Sequence, residues 1–89
     1  MQARTFIKIE EALGTDLYEV AEHSKDPKIL HMLASHKNYR IRRSVACNGH
    51  TLKGTLRKLL KDNEPSVGAW AESSLYKQII LRHSYKHIQ

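Results

Sequence analysis

The sequence predicts an all-α fold, a small right-handed α-solenoid of about three degenerate repeats in which short and longer helices alternate. Three observations predict it. Apolar residues recur at helical spacing, and strand-like alternation is almost absent. Helix start and stop residues are dense: Asp26-Pro27, Asn38, Asn48-Gly49, Thr51 and Pro65 punctuate a chain of 89 residues. The apolar pattern also repeats. A shift of 26 residues carries Leu30 onto Leu56, Leu33 onto Leu59, Ile41 onto Val67 and Val45 onto Ala71. A shift of about 25 carries Val20-Ala21 onto Val45-Ala46. Units of this size bury their apolar faces only against their neighbours.

The elements follow in order. Residues 4–13 place Phe6, Ile9 and Leu13 on one helical stripe beside Ile7, and Gly14 suits a left-handed stop. Thr15 or Asp16 caps a short helix bearing Leu17, Val20 and Ala21. Asp26 with Pro27 in the first turn opens the next, carrying Ile29, Leu30, Leu33 and Ala34. Asn38 starts a segment with Ile41, Ser44 and Val45 inward, and Asn48-Gly49 turns the chain. Thr51 then caps a helix with Leu52, Leu56, Leu59 and Leu60 inward. Pro65 opens a short segment with Val67, Ala71 and a core Trp70, and a last helix of about 75–88 holds Leu75, Ile79 and Ile80. The expected organisation is one domain, 1–89, with a capping helix at 1–14 and repeats over 15–88.

A domain this small has a thin core and modest stability. The single cysteine, Cys47, excludes an intrachain disulfide and a four-thiolate metal site. No run approaches the roughly 20 apolar residues of a membrane span, and MQARTFIKIEEA meets charge too early for a signal peptide. These features suggest a soluble, cytoplasmic protein. The net charge of +6 points to polyanions or acidic protein surfaces as partners.

The matched residues resemble the leucine-rich repeat variant family, a relative of the HEAT-like α-solenoids. Leu33-Ala34, Ile41-Arg42, Val45-Ala46, Asn48, Thr51, Leu56 and Leu59 fit its unit, and Leu59-Leu60, Asp62 and Val67 begin another. The resemblance covers about residues 16–82, with one good unit and two degraded ones. His36 stands where the family has an acidic residue, Gly68 replaces an arginine and Gly49 replaces the usual proline. The resemblance implies stacked helices and a binding role without catalysis. It also implies a structural ladder pair between units, here Arg42 with Asp62, which removes Arg42 from the binding candidates.

On the helix after Thr51 the outward set includes Lys53, Arg57 and Lys61 at i, i+4 and i+8, with Lys58 beside them. Like charges at that spacing cost a few tenths of a kcal/mol per pair, where Glu–Lys pairs would help. Gly54 shares this outer region, costing roughly 1 kcal/mol against alanine and leaving room for close approach. Arg40 and Arg43 point away from Ile41 and Val45, with Lys37 just before them, so the two adjacent helices are expected to share one basic surface suited to phosphates. Six acidic residues fill the first third, Glu10, Glu11, Asp16, Glu19, Glu22 and Asp26, and none falls between Asp26 and Asp62. The plainer alternative is a solvated lysine-rich face. Lys77 and Arg82, with His83, Lys86 and His87, either extend the basic surface or form a frayed tail. Tyr39 either stacks on a base or partner side chain or seals its turn.

Catalysis is not indicated. Cys47 and His50 form a nucleophile–base pair only by proximity in sequence, with no orienting third group. His83 and His87 at i, i+4 lack a third metal ligand. No cofactor or metal is expected. The function expected is therefore non-enzymatic binding of a nucleic-acid backbone with little sequence preference. The rival is an adaptor or inhibitor docking on an acidic protein, and a third option is dimerisation to cover the thin core.

Overall fold

The computed structural model describes residues 16–88, with side chains described as far as residue 81, so the capping helix expected at 1–14 lies outside the described residues. Five helices follow one another: α1 (Leu17–His23), α2 (Pro27–Leu33), α3 (Tyr39–Cys47), α4 (Lys53–Leu60) and α5 (Pro65–Ile88). The fold is all-α, with no strand among the described residues.

Local chemistry sets the helix starts. The carboxylates of Asp16 and Asp26 accept from the Tyr18 and Lys28 N–H groups, each at 2.9 Å, and the Asn38 side chain accepts from Arg40 N–H at 3.0 Å. Each satisfies a backbone donor that the first helical turn leaves open. The start of α4 differs from expectation. Its cap position is Leu52, which makes no side-chain hydrogen bond. Thr51 is buried and its Oγ1 donates to the Val45 carbonyl at 2.7 Å, closing α3 rather than opening α4.

The described core is one cluster: Leu17, Ala21, Leu30, Leu33, Ala34, Ile41, Val45, Ala46, Leu56, Leu59, Val67 and Ala71. It contains the positions that the 26-residue shift superposes. Three expected core residues are exposed instead. Leu52, 58% exposed, precedes the first helical turn, so a helical projection does not apply to it. Leu60 lies about 100° around the helix from buried Leu59. Trp70 is 46% exposed because α5 packs through the i, i+4, i+8 row Val67–Ala71–Leu75, and Trp70 lies off that row.

Two further expectations are corrected. The segments expected at 65–71 and about 75–88 are one continuous helix of 24 residues. Nothing in Glu72-Ser73-Ser74 breaks it, and two side chains hold it to the preceding helices. Ser74 Oγ donates to the Ala46 carbonyl, and Gln78 Nε2 donates to the Thr51 carbonyl at 3.1 Å. The alternation of short and longer helices is also absent, since α1 to α4 contain 7, 7, 9 and 8 residues.

The main packing is α1 on α3, α3 on α5 and α4 on α5, with α2 lying less extensively on α3. Asn48, at the end of α3, is buried and reaches back to the end of α1. Its Nδ2 donates to the carbonyls of Ala21 at 3.0 Å and Ser24 at 2.9 Å, and its Oδ1 accepts from His50 N–H at 2.8 Å. On the other side of the core, His31 Nδ1 and Thr55 Oγ1 lie 2.7 Å apart, and Lys58 Nζ donates to Ser35 Oγ, joining α2 to α4.

Candidate functional site

The sequence-derived ladder residues meet. Arg42 Nε donates to Asp62 Oδ2 at 2.7 Å and Nη2 to Asp62 Oδ1 at 3.0 Å, a bidentate pair whose side chains are only 14% and 8% exposed. Arg42 Nη1 also donates to the carbonyls of His36 at 2.7 Å and Lys37 at 3.0 Å. This guanidinium stitches the turn before α3 to the turn before α5. Burial pushes the Asp62 carboxyl up, but the Arg42 hydrogen bonds, the Glu64 N–H and the Arg42 charge outweigh it and hold the group below its ordinary value.

The other basic residues are arranged differently. Among the described residues, Arg42 is the one lysine or arginine in an ion pair with a carboxylate. Arg57, Lys61 and Lys77 are exposed and Lys53 is half-buried, none with a hydrogen-bond or ion-pair partner among the described residues. Lys58 is exposed but tied to Ser35. The described side chains stop short of Arg82, which belongs to the last turns of α5.

Helices α3 and α4 turn Ile41, Val45 and Ala46, and Leu56 and Leu59, toward a common core, which leaves their basic residues on the sides turned away from it. On the α3 side, the Arg40 and Arg43 guanidinium carbons stand 5.9 and 5.6 Å from the Tyr39 ring centroid, within cation–π range. Tyr39 and Tyr18 raise the Arg40 guanidinium further above its ordinary value, which places α1 beside this patch. The charges of Arg43 and Lys77 both reach Cys47 there. On the α4 side, Lys53, Arg57, Lys58 and Lys61 surround the helix turns opposite Thr55, Leu56 and Leu59.

Beside the α4 patch lies an open groove of about 530 Å³ between α2 and α4, lined by Pro27, Lys28, His31, Leu52, Gly54 and Thr55. Sequence reasoning missed it, since it arises from Leu52 turning outward and from the His31–Thr55 contact. Gly54 helps to form its floor, and a Cβ added there meets nothing within 4 Å. Gly54→Ala is therefore expected to stabilise the fold by about 0.5 kcal/mol through helix propensity, read as a raised urea midpoint at unchanged slope.

Cys47 is exposed, and partial desolvation of its sulfur raises the thiol above its ordinary value despite Arg43 and Lys77. That is the opposite of an activated nucleophile. No three His, Cys, Asp or Glu side chains come together as metal ligands among the described residues, and His83 and His87 lie beyond the described side chains. No helix among the described residues is long and apolar enough to cross a membrane. Compared with family models, curated proteins and solved structures, the chain matches none.

Proposed function

We propose that this chain is a small, non-enzymatic α-solenoid that holds a nucleic-acid backbone against the basic patch of α4, with little sequence preference. The solenoid reading is supported by the core positions recurring at a 26-residue shift and by contacts that skip one helix, α1 on α3 and α3 on α5. Each of these junctions is bonded the same way, a side chain from the later helix or its end reaching the carbonyl end of the earlier one: Asn48 to Ala21 and Ser74 to Ala46. The leucine-rich repeat variant resemblance belongs to the same proposal, with Arg42–Asp62 as its ladder pair. A cytoplasmic location is consistent with it.

One observation carries the binding reading: among the described residues, Lys53, Arg57 and Lys61 share a helix surface with no carboxylate to neutralise them, while the half-buried Arg42 is paired with Asp62. A surface helix gains a few tenths of a kcal/mol from Glu–Lys pairs at i, i+4, and α4 forgoes them. Unneutralised cations at that spacing suit a row of phosphates, which release counterions on binding. Arg40, Arg43 and Lys77 form a second patch, with Tyr39 as its aromatic member, and Arg82 lies further along the same helix as Lys77.

The test is binding of generic single- and double-stranded DNA and RNA. With about four phosphates neutralised, affinity is expected to fall on the order of 10²-fold between about 50 and 200 mM salt. Arg57→Glu with Lys61→Glu should abolish binding while leaving the melting temperature unchanged. Unchanged affinity in that variant rules out the α4 face. A second reading, an adaptor for an acidic protein, is favoured by the apolar groove beside the same lysines, with Leu52 as an exposed anchor. It predicts no nucleic-acid binding at low salt and loss of partner binding in Leu52→Asp.

A further inference from the structure

The groove between α2 and α4 has a mixed lining that a row of phosphates does not use. Pro27 and the exposed Leu52 are its apolar members, and Lys28 and His31 line it from one side of α2, three residues apart. Its volume of about 530 Å³ falls within the roughly 300–1,000 Å³ of small-molecule sites. The His31 imidazole is tethered at one edge. Its Nδ1 lies 2.7 Å from Oγ1 of the buried Thr55, while Nε2 has no partner among the described residues. Gly54 keeps the α4 side open, since even a Cβ there meets nothing within 4 Å.

The charges around the groove say what fills it. No lining residue is acidic, and Lys28 supplies a cation from α2. Lys53 stands between the lining residues Leu52 and Gly54, one helical turn before Arg57. Asp26, the carboxylate nearest along the chain, is engaged by the Lys28 N–H at 2.9 Å. The occupant that suits this setting is anionic outside the groove and planar inside it, with apolar faces for Pro27 and Leu52 and a polar edge for the imidazole. An unpaired nucleotide has that combination. A base within a duplex does not, because its neighbours cover its faces and its partner covers its edge. An apolar side chain from an acidic protein would fill the same space but leave the imidazole edge unused.

We propose that the α2–α4 groove receives an unpaired base of a nucleic-acid strand whose phosphates lie along Lys53, Arg57 and Lys61. This rests on the phosphate reading of α4 and adds to it that the ligand carries at least one unpaired base. Stacking on an apolar wall or an imidazole tolerates every base, so the preference is for an exposed base and not for a sequence.

The experiment compares oligothymidylate of about 12 nucleotides with an abasic strand of the same length and charge, at about 50 mM salt. The full chain is expected to bind the base-bearing strand at least about tenfold more tightly. Gly54→Leu fills the groove without changing a charge and should lower oligothymidylate affinity to that of the abasic strand. Leu52→Ala removes one apolar wall and should cut the same preference several-fold. Circular dichroism reports helix content, and should Gly54→Leu lose it, Leu52→Ala decides. Equal, salt-sensitive binding of the two strands leaves the phosphate reading standing and overturns the base site. Binding of neither strand overturns both. A preference that survives both substitutions places the base elsewhere and overturns the proposal. So does binding of a leucine-bearing polyglutamate peptide, lost in Gly54→Leu, by a protein that binds neither strand, which gives the groove to an acidic protein.

Discussion

Asp62→Ala is expected to lower the stability of the protein by about 2–3 kcal/mol, read from urea or thermal unfolding. The carboxylate is 8% exposed and accepts two hydrogen bonds from Arg42 and one, at 2.9 Å, from the Glu64 N–H. Removing it leaves a guanidinium that is 14% exposed without its counter-charge and opens the turn leading into α5. In a domain of this size, with a few kcal/mol in hand, that loss moves the melting temperature by roughly 10–20 °C. Arg42→Lys should cost a similar share, because an ammonium cannot span both carboxylate oxygens and the His36 and Lys37 carbonyls together.

The same pair sets the acid limit. The folded-state pKa of Asp62 is depressed below its unfolded value near 4, so its contribution is present above that value and lost as pH falls through the folded-state pKa. Wild type and Asp62→Asn should therefore differ most above the unfolded carboxyl's value and converge as the pH falls through the lower folded-state value. A constant difference across that range would mean that the carboxylate's charge does not stabilise the fold.

Asn48→Ala is expected to cost about 2–3 kcal/mol, and Asn48→Asp more. The amide of Asn48 supplies the donors that the last carbonyls of α1 lack, and its oxygen takes the His50 N–H. Alanine leaves these groups buried without partners. Aspartate keeps the acceptor for His50 but turns a buried carboxylate oxygen toward the Ala21 and Ser24 carbonyls. That environment raises the introduced carboxyl's pKa above its unfolded value, so Asn48→Asp should regain stability as pH falls, the opposite slope to the wild-type Asp62 contribution. Wild-type stability in Asn48→Ala would show that the amide is dispensable.

Much of the helix inventory was legible in the sequence, because caps and apolar spacing are local. Asp16, Asp26 and Asn38 begin helices where a short polar side chain can reach the second backbone N–H of the turn beyond it. The Arg42–Asp62 contact was legible only through the resemblance, since a contact across twenty residues leaves no local mark. Thr51 was misassigned for a comparable reason. Its hydroxyl could accept from an N–H opening α4 or donate to a carbonyl closing α3, and burial at the end of α3 chose the Val45 carbonyl. Trp70 and Leu60 were misplaced because an apolar stripe wider than the buried contact does not say which edge faces water. The basic patches show the same limit. Their residues were readable as outward on each helix, but whether two outward sides adjoin depends on how the helices pack.

What the sequence by itself determined is the all-α class, most of the helix starts, the repeating core positions and the excess of unneutralised cations on α4. These follow from spacing within a turn or two of helix. What only the tertiary structure decided is the fusion of the last two segments into α5, the exposure of Trp70 and Leu60, and the groove beside Leu52. Each depends on which of several chemically equivalent side chains meets a neighbour, and that choice is made by packing between helices distant in the chain.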